Sequence, residues 1–287
     1  MKTKILKFSI ITAIIGIALW SCKKDEINTI QNNTDLLSRI ELQTKEFNSS
    51  QNLIQAKINW KKVMKVAGSD LLGALAGGVS GATIGTAIPG VGNAAGATIG
   101  MIVGGVGGSL KAAGSISNTG SSSGNVGNSN NEFDYIGEQH INYLSLYDNN
   151  NTYFNNNELN TTTFYNNLTS SAINIGLISD NSTNAYTLEQ LNNDLTFLDI
   201  NFDENDFSSI INNLYNQNLL NTQEKDILIL YFNSLLNTAN FTDFVNYSIA
   251  IESDITNSNV SNISKQILLS TMSTTRWDVD YWLNANI

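Results

Sequence analysis

From Glu132 to the C-terminus, apolar residues return at every third or fourth position, the period of helices laid on a core. Phe133, Ile136, His140, Ile141 and Leu144 fall on one stripe, and Leu159, Phe164, Tyr165 and Leu168 suggest another. Thr187 with Gln190 reads as a capping box ahead of Leu188, Leu191 and Leu195, and Asn221 with Glu224 as a second. The second box opens a helix through Ile227, Leu228, Tyr231, Phe232 and Leu235. Between them Asp206 precedes Phe207, Ile210, Ile211 and Leu214, and two more helices follow near Phe244–Ile255 and Val260–Met272. This stretch has no proline and no strand-like alternation. It predicts an all-α bundle of six or seven helices over 132–287, long enough to bury its own core.

Between Asp70 and Lys111 the pattern changes. Two uncharged segments of about twenty residues flank Pro89, the single proline of the chain. The first repeats glycine at Gly73, Gly77, Gly81 and Gly85, and the second at Gly92, Gly96, Gly100, Gly104 and Gly108. Residues four apart lie above one another on a helix, so each repeat draws a groove free of side chains. Leu71, Leu75 and Val79, then Ile99, Ile102, Val103 and Val106, lie off those grooves. Glycine costs a helix about 1 kcal/mol each relative to alanine, which only close backbone approach offsets. The reading is a glycine-zipper helical hairpin over 66–113, turned at Pro89 and Gly90. Each arm matches the thickness of a bilayer, and Asp70 and Lys111 would then emerge on one side. The same pattern also suits a hairpin buried inside protein.

The flanks give the domain order. Lys2, Lys4 and Lys7 followed by the apolar run Phe8–Trp20 read as an export signal over 1–21. It ends in Leu19, Trp20, Ser21 and Cys22, which resembles the lipobox of bacterial lipoproteins. The resemblance implies that Cys22 is acylated, for instance with palmitate, and becomes the first residue of the mature chain. Residues 22–65 read as a polar helical tether with a loose stripe of Leu36, Leu37, Ile40, Leu42 and Phe47. Trp60, Lys61, Lys62 and Lys65 at its end suit a headgroup layer or a solvated helix face. Residues 114–131 are almost wholly Ser, Gly, Asn and Thr, the composition of a flexible linker.

Charge narrows the partners. The net charge is −10, but the 132–287 stretch holds nineteen acids against Lys225, Lys265 and Arg276. Such a surface repels phosphate backbones, so nucleic acid is not expected as a partner. One cysteine and one histidine permit no disulfide and no His/Cys metal cluster or Cys–His pair, so no metal and no cofactor are expected. Asp199, Asn201, Asp203, Asn205 and Asp206 alternate like the start of a calcium loop. Glu204 stands where the turn needs glycine and Ile210 where the bidentate glutamate belongs, so a helix-capping loop is the simpler reading. His140 borders the core as a structural histidine, and Glu138 beside it has no nucleophile at a recognisable spacing. Trp277, Tyr281 and Trp282 either close the helical core or meet a partner or glycan.

The order of lipobox, Lys23-Lys24-Asp25-Glu26, Trp60-Lys61-Lys62, Pro-Gly-centred zipper and asparagine-rich helical tail resembles glycine-zipper lipoproteins of Bacteroidota. The zipper segment is also similar to class II bacteriocins. The first resemblance implies a non-enzymatic outer-membrane lipoprotein, surface-exposed, whose hairpin inserts in or self-associates at the membrane while the acidic domain binds a partner. The second implies a contact-dependent antibacterial or pore-forming protein.

Overall fold

The computed structural model describes residues 36–51, 60–88, 92–113, 120–147, 153–156, 158–201, 203 and 206–284. Cys22, the export signal, Pro89 and Gly90 lie outside the described residues. The fold is all-α. A helical stretch over 36–51 (α1) precedes α2 (Trp60–Ala87) and α3 (Gly92–Ala113). Seven more follow: α4 (Asp134–Tyr147), α5 (Thr161–Asn174), α6 (Leu188–Asn201), α7 (Ser208–Asn216), α8 (Thr222–Asn237), α9 (Phe241–Thr256) and α10 (Asn262–Leu283). Asn221 and Glu224 do form a reciprocal capping box at α8. At α6 only half of the expected box forms: Gln190 N donates to Thr187 Oγ1 at 3.2 Å, while the Gln190 side chain turns to Asp194. A two-residue antiparallel ladder, Phe154–Asn155 (β1) with Glu158–Leu159 (β2), was not foreseen; it is too short to show alternation.

The glycine pair is the spine of the molecule. α2 and α3 run antiparallel with Gly73 against Gly104, Gly77 against Gly100, Gly81 against Gly96 and Gly85 against Gly92. At each level the carbonyl of one helix sits where a β-carbon of the other would stand; on Gly73 that carbon would lie 2.5 Å from the Gly104 oxygen. Gly92, at φ +74°, begins α3 in the left-handed region. The bulky residues of the pair are enclosed by α4, α5, α6 and α10: Leu71, Leu75, Val79, Ile99, Val103 and Val106 are all at most 1% exposed. Each such side chain contributes about 1.5–3 kcal/mol by burial. No described helix is long and apolar enough to cross a membrane.

Three features depart from the modular reading. The tether is not free, because α1 docks on α9: Phe47 stacks on Tyr247 at 4.4 Å, and Gln51 Oε1 accepts from Ala239 N at 2.8 Å. The linker is held over 120–131, since Asp280 accepts from Ser123 N and Ser122 Oγ, and Asn128 and Asn131 donate to buried Glu252. Polar side chains hold this segment, so its lack of apolar residues gave no sign of it. Asp70 does not emerge with Lys111. It is fully buried, whereas Lys111 meets Asp199 at 2.5 Å on the surface.

Candidate functional site

Two polar constellations stand apart from the core. The first is an open cleft of about 350 Å³ between α2, α6 and α7, lined by Ser80, Thr83, Gln190, Asn193 and Asp194 over an apolar floor with Phe197 and Leu214. Gln190 and Asp194 share a face of α6 because they are one turn apart. Asp194 accepts from Tyr186 Oη at 2.9 Å, from Gln190 Nε2 at 2.9 Å and from Ser80 Oγ at 3.5 Å. Burial pushes its carboxyl up to about 6, and those three donors hold it from rising further. Tyr186 is driven well above its ordinary value by burial first and by the Asp194 charge second. Its hydroxyl also reaches the zipper, where β-carbons on Gly77 or Gly104 would lie 3.1 Å from it.

The second constellation is closed. Asp70 of α2, His140 of α4 and Asp278 of α10 meet with no exposure at all. His140 Nε2 stands 2.7 Å from Asp70 Oδ1 and 4.0 Å from Asp278 Oδ1. The imidazole fits because Gly105 lies beneath it; a β-carbon there would be 2.6 Å from Cε1. The contacts within the cluster fall short of full hydrogen-bonding geometry, and Trp282 faces the Asp278 carboxyl, where it opposes the rise that Asp70 favours. Burial first, then the neighbouring Asp70, push the Asp278 carboxyl well above the usual range. His140 does lie in the core, as expected of a structural histidine, and what the sequence did not signal is that two carboxyls from distant parts of the chain converge on it.

A third polar cluster is structural. Buried Arg276 donates from Nε to Glu252 Oε1 at 2.8 Å and from a terminal nitrogen to Asp134 Oδ1 at 2.5 Å, and also bonds the Val126 carbonyl. Burial works against its charge, and Glu252, then Asp134, more than offset it, leaving it above its ordinary value. The calcium-like run is broken up: Asp199 pairs with Lys111, and Asp206 Oδ1 accepts from Ser208 N at 2.8 Å as a capping contact. Tyr281 and Trp282 are buried, closing the core. Glu138 joins neither constellation. Asp70, Asp194 and Asp278 were missed as site residues. Only Asp194 carried a local signal, the spacing of Tyr186, Gln190 and Asp194 at four-residue intervals. No family model matches the chain, and neither a curated protein nor a solved structure matches it.

Proposed function

We propose that the protein is a non-enzymatic, lipid-anchored protein of the cell envelope, at the outer membrane, whose helical body binds a small polar ligand in the Asp194 cleft. The observation that carries the binding role is the cleft's lining. One carboxyl, three amides (Gln190, Asn193, Gln217) and two hydroxyls surround an apolar floor, a set suited to hydroxyl- or amine-bearing molecules with one apolar face. That lining offers no histidine, cysteine or lysine to act with the carboxyl as nucleophile or base. The Lys-rich start and Leu19-Trp20-Ser21-Cys22 support the anchor. With both zipper faces occupied by its own helices, the chain meets lipid through Cys22 rather than through the pair.

The test has two arms. Labelling with a palmitate analogue should mark the wild type and not Cys22→Ala. A thermal-shift screen of sugars and small amines should find a compound that stabilises the wild type but not Asp194→Asn. Absence of acylation refutes the anchor, and an equal shift in both proteins refutes the cleft.

A second reading, a contact-dependent pore-forming protein, is favoured by one observation: the small-residue pair is enclosed over 66–82 and 96–110, so opening the outer helices would release an apolar hairpin. Dye leakage from liposomes on adding the intact protein supports it, and tight liposomes refute it.

A further inference from the structure

We infer that Asp70, His140 and Asp278 form a structural binding site for one divalent first-row transition metal ion, independent of the Asp194 cleft. One nitrogen and two carboxylate oxygens are the donor set of borderline ions such as zinc, iron(II) and manganese(II). Ligand atoms offered by the three residues all lie within 4.8 Å of one another. On an ion with bonds of about 2.1 Å, neighbouring ligands stand about 3.0 Å apart in octahedral and about 3.4 Å apart in tetrahedral geometry. The two nitrogen–oxygen distances, 2.7 and 4.0 Å, bracket that range.

The second observation is independent of the spacing. Buried polar groups normally find partners, yet the two nitrogens of His140 and the four oxygens of Asp70 and Asp278 meet only one another and Trp282, with no contact of full hydrogen-bonding geometry among them. Elsewhere in the interior, Arg276 shows how this chain satisfies buried carboxylates, with donors on Glu252 and Asp134. Among the described residues no lysine or arginine pairs with Asp70 or Asp278; His140 alone meets both, whereas a divalent ion balances two carboxylates in full. The three ligands come from α2, α4 and α10, so the ion would clamp the glycine pair to two of the helices that sheath it. With all three ligands fully buried, the site suits an ion loaded during folding, and the second oxygen of either carboxylate is at hand for a fourth position.

The full chain, without a metal-binding tag, is unfolded in chelator and refolded with zinc, manganese or iron(II) in turn, then gel-filtered and its metal content measured. The wild type should hold about one equivalent of at least one ion and melt at a higher temperature than the chelator-refolded protein. Asp278→Asn and His140→Gln should hold less than about a tenth of an equivalent after the same wash. In case either variant fails to fold, wild type refolded with cobalt(II) is read by its visible absorption, which should differ from that of the free ion in intensity and position. No stoichiometric metal in the wild type, full retention by both variants, or a cobalt spectrum equal to the free ion's would each overturn the site.

Discussion

Gly77 and Gly78 are adjacent on α2, so alanine at either position gains the same helix propensity, about 1 kcal/mol. Their surroundings differ. A methyl on Gly77 points at the Gly100 carbonyl, whose carbon would lie 2.8 Å away. Ordinary carbon contacts need about 3.5 Å or more, the carbonyl oxygen stands nearer still, and backbone cannot rotate aside, so α2 and α3 must part locally by more than about 0.7 Å. Overpacking of this kind costs about 2–3 kcal/mol at the upper end of its range. A methyl on Gly78 instead meets Met101 Cγ at 2.5 Å and Cε at 2.6 Å. That flexible thioether can change rotamer for about 1 kcal/mol, cancelling the propensity gain. Gly77→Ala should therefore lose about 1–2 kcal/mol and Gly78→Ala about nothing. By circular dichroism the gap in melting midpoint should be about 2–4 °C for a chain of this size. Equal midpoints would refute the claim that backbone-to-backbone approach, rather than general crowding, defines the seam.

Two further perturbations test the polar network. Asp194 has a folded value of about 6 against an ordinary 3.8, so the folded state holds this proton more tightly than the unfolded chain. Stability from this group is fully present below the unfolded value and is lost as pH rises through about 6, by about 3 kcal/mol in all. Urea titrations of wild type and Asp194→Asn from pH 4 to 7.5 should diverge by that amount, the wild type weakening relative to the variant; parallel curves would contradict it. Arg276→Leu leaves Glu252 and Asp134 without their cation and should cost about 3–5 kcal/mol. It should also raise amide exchange across 120–131, which Glu252 and the Val126 contact hold in place, and unchanged exchange there would count against that anchoring.

The helices were legible because their causes are local. The Asn221–Glu224 box and the apolar period through Ile227, Leu228, Tyr231 and Phe232 lie within one helix, and seven helices do occur over the stretch expected to hold six or seven. The glycine repeats likewise announced a close pair. What they left open was what surrounds it, since apolar faces suit lipid and protein alike, and here Leu71, Val79, Val103 and Val106 are covered by protein. The segment 120–131 was misread for a different reason. Its anchors are Asp280 and Glu252, more than a hundred residues further along the chain, and composition carries no trace of such bonds. The meeting of Asp70, His140 and Asp278 was hidden in the same way, because a single histidine has no spacing motif to read.

The place of α10 bears on how the protein is made. The α2–α3 pair closes over short sequence distances and can form as soon as its residues are available. Asp70 on that pair nevertheless stays without its enclosure until Asp278 of α10 has been synthesised. Every nascent or prematurely terminated chain that lacks α10 therefore presents an apolar seam with an unburied carboxylate in it, a signature that chaperones and proteases can act on. Sealing the spine therefore waits on α10, whose Asp278 lies 208 residues (278 − 70) beyond Asp70 in sequence.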